Sequence, residues 1–134
     1  GFGGFEDLES LRSYGRARAA LFAALSIFRR RIFCSISWHA TRIPSIARQL
    51  TRAGTGASAN YHSACRGRSR AEFIARLAIA LDEADETCLW LEVIKNGGIS
   101  RCSEMDWLIG ESGELRAILF ASVNTARLNQ QAMS

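Results

Sequence analysis

Five consecutive positions, Asp82-Glu83-Ala84-Asp85-Glu86, hold the residues whose types best suit chemistry. On a helix, carboxylates three or four positions apart share a face. That pairs Asp82 with Asp85 and Glu86, and Glu83 with Glu86. Such pairs can act as general acid and base or hold a cation. Helical bundles that bind two metal ions use Glu-x-x-His on facing helices, and the chain contains no such motif. His62 and Cys65 lie three apart with Cys34 and His39 upstream, but these intervals match no zinc-site pattern. There is no nucleophile elbow, no phosphate-cradling glycine loop and no Cys/His/Asn arrangement. The expectation is a non-enzymatic protein without metal or cofactor, its acid cluster engaged in ion pairs.

The second constellation is cationic. Between residues 10 and 71 there are twelve arginines and no Asp or Glu, whereas residues 72 to 134 carry ten acids and five bases. Sixteen of the seventeen basic residues are Arg, the side chain suited to bidentate pairing with carboxylate or phosphate. Arg66, Arg68 and Arg70 alternate through a junction between two predicted helices, and Arg48 and Arg52 share a helix face at i, i+4. Two readings follow. In one, the arginines form a phosphate-binding surface. In the other, they pair with Asp82, Glu83, Asp85, Glu86 or Glu92 within or between subunits. Pairing is the expectation for Arg52 and Arg68. Nucleic acid is the expectation for Arg12, Arg16, Arg29, Arg30, Arg31, Arg48, Arg66 and Arg70.

Helices must position these groups. Hydrophobic residues make up 48% and charged residues 22% of the 134, which is ordinary globular composition and points to one domain over 1–134. Apolar residues return at helical intervals in four segments, predicting helices over about 5–31, 44–66, 69–95 and 101–128, with 129–134 fraying. Pro44 suits a first helical position. Ser69 and Glu72 form a capping box. Ile74, Leu77, Leu81, Ala84, Cys88 and Leu91 keep a 3-4-3-4-3 seam, and Asn96-Gly97-Gly98 stops that helix. Ile46, Leu50, Ala53, Ala57, Tyr61 and Ala64 form a small-residue stripe beside Gly54 and Gly56, where close approach of another backbone would compensate for the glycines. Asn60 lies in this stripe and is expected to fix helix register through an interhelical hydrogen bond. Short connections favour an antiparallel up-down four-helix bundle. Phe73, Ile79, Trp90 and Ile94 add more apolar circumference than one bundle covers, which predicts association of copies.

The four cysteines are spaced as reduced thiols of a cytoplasmic protein. The apolar run 19–28 is shorter than the roughly 20 residues that span a bilayer. Because it ends in Arg29-Arg30-Arg31, it does not have the layout of a signal peptide. No membrane partner is expected.

Residues 50–94 carry three motifs in order: R-x-G-T-x-x-x-A-N-Y, A-C-R-x-R-S-x-A-E-F and E-A-D-E-T-x-x-W-L-E. With "ASVNTARLN" at 121–129, they strongly resemble the bacterial four-helix-bundle proteins encoded in intervening sequences of 23S rRNA genes. The likeness covers about 44–129, and 1–43 matches only loosely. It implies a ring-shaped homopentamer. The accessory protein of diversity-generating retroelements, a basic ring that binds a reverse transcriptase and its RNA, is similar in fold. The motif positions Arg52, Asn60, Arg68, Glu72, Phe73, Glu83, Glu86 and Trp90 are therefore expected to serve structure or the contact between copies. The functional expectation is a basic homo-oligomer that binds structured RNA or DNA, with a reverse transcriptase as a further partner. An oligomeric scaffold for protein partners is the alternative.

Overall fold

The computed structural model of the chain describes residue 30, residues 44–98 and residues 104–132. Three helices run through them: α1 (Pro44–Cys65), α2 (Arg70–Asn96) and α3 (Met105–Ala132). The helix predicted over 5–31 lies outside the described residues except for Arg30, which is helical and exposed. The chain is all-α in its described part.

Local signals explain where the helices begin and end. α1 opens on Pro44, whose missing N–H costs nothing there. Ser69 has extended backbone (φ −142°, ψ 162°), and its hydroxyl accepts from the Glu72 N–H at 3.1 Å. The Glu72 carboxylate reaches back and accepts from the backbone N–H of Arg68 at 2.9 Å. One orphan donor of α2 is thereby satisfied, and the N–H just before the cap is fixed as well. At the far end Gly97 stays right-handed (φ −80°), and Gly98 takes the left-handed conformation (φ 62°). α3 continues through Ala132, past the frayed end expected from 129. The Arg70 guanidinium donates to the Asn129 carbonyl at 3.2 Å and ties that last turn to the start of α2.

α2 is the central element, packed on α1 along one flank and on α3 along the other, while α1 and α3 do not pack on each other. Both neighbours run antiparallel to it. Arg52 meets Glu83 and Glu86, and Asp85 and Lys95 meet Arg116 and Asp106. Leu50, Leu77, Leu91, Ile94, Leu108, Leu119 and Val123 are fully buried at the centre, and burying each such side chain contributes about 1.5–3 kcal/mol. Among the described residues no buried side-chain nitrogen or oxygen lacks a partner. Thr87 donates to the Glu83 carbonyl at 2.8 Å, and Ser112 donates to Ile109 at 2.9 Å. Cys88 donates to Ser112 at 3.4 Å.

Two expectations change. The close neighbour of Gly56 is a side chain, not a backbone: a Cβ there would lie 3.0 Å from Cδ of Glu83. Phe73 and Ile94, expected as apolar surplus, are 5% and 0% exposed. The seam of α2 is wider than its heptad spacing suggests, because α2 contacts two helices and both residues enter the subunit core.

Candidate nucleic-acid interface

The outward side of α1 carries Arg48, Arg52, Thr55, Ala59, His62 and, one residue past the helix end, Arg66, in steps of 4-3-4-3-4. All but half-buried Thr55 are exposed, and α1 contains no acid. At 1.5 Å per residue the stripe spans about 27 Å. Its two ends differ from its middle in how the guanidiniums are satisfied.

In the middle, Arg52 is enclosed by acceptors. Nη2 meets Oε2 of Glu86 at 2.5 Å, and Nη1 lies 3.3 Å from Oε2 of Glu83. Nε donates to Gln49 at 3.1 Å. The Glu86 hydrogen bond, with smaller Coulombic help from Glu83 and Glu86, raises the Arg52 pKa above its ordinary value. The guanidinium is thus satisfied by carboxylates of its own chain. The rest of the acid cluster turns the other way: Asp85 accepts from Arg116 of α3 at 3.1 Å, a bond that raises the Arg116 pKa. Glu83 and Glu86 thus face α1 and Asp85 faces α3, and within this cluster Asp82 is exposed and has no ion pair among the described residues. Two of them, Glu83 and Glu86, converge on one guanidinium while Asp85 turns away, and no group of three metal-ligating side chains occurs among the described residues.

At the α1–α2 junction the chain reverses through Arg66 and Gly67, whose N–H groups donate to Ser63 and Ala64 carbonyls at 3.1 and 3.0 Å. A Cβ on Gly67 would lie 3.1 Å from the Ala64 oxygen and 3.2 Å from the Phe73 nitrogen. Any larger residue would require these backbone atoms to give by a few tenths of an ångström. Arg66 and Arg68 are exposed, and no described carboxylate pairs with either guanidinium, so the pairing expected of both Arg52 and Arg68 is seen for Arg52 alone among the described residues. The Arg70–Asn129 bond brings the end of α3, with exposed Arg127, to the same pole. Arg76 is exposed further along α2. Glu72 is the acid of the α2 first turn, and its carboxylate is held by the Arg68 backbone. The C-termini of α1 and α3 both lie here and favour cations, which helps the pole tolerate its own charge.

The remaining predicted residues distribute as follows. Arg48 is exposed and lines a shallow hollow with Pro44, Ala47 and Thr51. Asn60 donates to the Gly56 carbonyl of its own helix at 3.0 Å. This bond runs along α1, so the interhelical hydrogen bond expected of Asn60 is not the one it makes. Trp90 is half-buried against the core. Arg12, Arg16, Arg29 and Arg31 lie outside the described residues. Sequence reasoning missed Arg127 and Asn129, which no local signal links to a junction 59 residues away. No described helix is long and apolar enough to cross a membrane.

The described residues form a charge-polarised helical array with a paired middle and an arginine-rich pole. The profile of the 23S rRNA-intervening sequence proteins matches residues 23–121, well over half the chain, and the chain belongs to that family. The match takes in part of the segment before Pro44 and ends where "ASVNTARLN" begins. A crystal structure of a protein of unknown function from the S23 ribosomal protein family of Bacteroides thetaiotaomicron is similar. It has 29% identity and a TM-score of 0.70, over 81% of this chain and 98% of that one. No curated protein matches the chain.

Proposed function

We propose that the chain is a non-enzymatic, homo-oligomeric helical bundle of the cytoplasm that binds structured RNA through its arginine-rich pole. The observation that carries the reading is the set of guanidiniums on Arg66, Arg68 and Arg127, exposed and without a carboxylate partner among the described residues. A phosphate backbone is the polyanion that satisfies such a set without requiring base-specific geometry. Assembly into a ring, pentameric as the family resemblance implies, would repeat the pole and multiply weak contacts. Within that reading a reverse transcriptase is a fitting protein partner, since the pole would present RNA to it.

Fluorescence anisotropy with a labelled RNA hairpin tests the proposal, alongside light scattering for the assembly. Engagement of three or four phosphates predicts a plot of log affinity against log salt with a slope of roughly −2 to −4. No binding at low salt to hairpin or duplex would leave the alternative, an oligomeric scaffold for protein partners. A stable monomer at micromolar concentration would remove the ring.

A further inference from the structure

Two aromatic side chains stand exposed on α3, Trp107 at 37% and Phe120 at 57%, in opposite electrostatic company. The face of Trp107 carries Glu111 one turn on and Glu114 two turns on. The face of Phe120 carries Arg116 one turn before it and Arg127 two turns after it. Arg127 lies about 10 Å along the helix axis from Phe120, toward the pole where Arg70 holds the Asn129 carbonyl. Phe120 falls between two rungs that join α3 to α2, Arg116–Asp85 at 3.1 Å and Arg70–Asn129 at 3.2 Å. Of the described acids on α2 between those rungs, Glu72 is bonded to the Arg68 backbone and Glu83 to Arg52. Asp82 alone is left unpaired there.

We propose that Phe120 is a base-stacking platform that continues the arginine-rich pole along α3, so that the site takes unpaired nucleotides in preference to duplex. The inference rests on the nucleic-acid reading of the pole and names the form of RNA that pole receives. The chemistry is general: an aromatic face stacks any base, and a neighbouring cation holds the adjoining phosphate; here that cation is Arg127, since Arg116 is paired with Asp85. Loops, bulges and ends of folded RNA present such splayed bases, while an A-form duplex hides them. Trp107, the larger ring, is disqualified by the carboxylates that share its face and would repel the same backbone.

The experiment uses the full chain with two labelled probes, a short oligouridine strand and a blunt RNA duplex of equal length, at low salt. Phe120→Ala should weaken strand binding about tenfold and leave duplex binding within about twofold, while Phe120→Trp should restore the strand. Light scattering on both variants should give the mass of the unsubstituted protein. An unchanged strand affinity in Phe120→Ala, or an equal loss on strand and duplex, would overturn this inference and leave the phosphate-binding pole intact. A change of mass in Phe120→Ala would assign the ring to contact between copies and overturn it as well. If the unsubstituted protein binds neither probe, the pole and the platform fail together.

Discussion

Arg52 and Arg66 lie on one stripe of α1, about four turns apart, yet they are in different chemical states. Arg52 is neutralised by two carboxylates of α2 that arrive at 3.3 and 2.5 Å. Arg66 sits where α2 begins, and no described carboxylate reaches it. The difference is a matter of register. Antiparallel packing places the acid cluster of α2 opposite the middle of α1, so the arginines at the junction meet the arginine-bearing end of the same hairpin. An arginine count is therefore a poor guide to available charge. What matters is which helical level the acids occupy.

The comparison can be broken in several ways. The largest effect is expected from reversing Arg66 and Arg68 together to Glu: RNA affinity at low salt should fall by about tenfold or more, with a shallower salt dependence. Arg52→Ala in the same anisotropy assay should leave affinity nearly unchanged. Equal losses from the two variants would erase the distinction between middle and pole. Glycine substitutions come next. Gly67→Ala drives a methyl group into backbone atoms at 3.1 and 3.2 Å and should cost about 1–3 kcal/mol in urea unfolding. Gly56→Ala meets only the mobile end of Glu83 at 3.0 Å. The gain in helix propensity, about 1 kcal/mol, should nearly offset moving that carboxylate. A larger loss at Gly56 than at Gly67 would show that the Arg52 cluster, not the turn, is the rigid part of the hairpin.

Ser69→Ala removes the acceptor at the start of α2 and should lower stability by about 1 kcal/mol. The smallest effect belongs to Arg52→Ala on the melting temperature. Its guanidinium is half exposed, and exposed ion pairs contribute little because water and salt screen them. The decrease should shrink further in high salt. A salt-insensitive decrease would instead point to the lost packing of its aliphatic stem against α2.

Much of this was legible in advance. Pro44, the Ser69–Glu72 box and the Asn96-Gly97-Gly98 stop mark helix ends to within a residue or two, because capping is a contact between positions a few residues apart. Leu50, Ala53 and Ala57 on α1, with Leu108, Leu115 and Leu119 on α3, are buried as their spacing predicts. Less was legible where one helix serves two neighbours. Phe73 and Ile94 looked like surplus on a heptad seam, and they are core because α2 is flanked on both sides. Asn60 looked like a register-setting residue, and its amide bonds to the Gly56 carbonyl of its own helix.

By itself the sequence determined the three described helices to within a few residues, their buried faces and the division of charge into a basic half and an acidic half, since each depends on residue type and short-range periodicity. The tertiary structure alone decided which arginines are neutralised. The carboxylates that hold Arg52 come from 31 and 34 positions away, and the carbonyl that anchors Arg70 comes from 59. Partners that distant have no spacing rule. They are set by the antiparallel register of packed helices, and that register leaves the junction pole charged while quenching the middle.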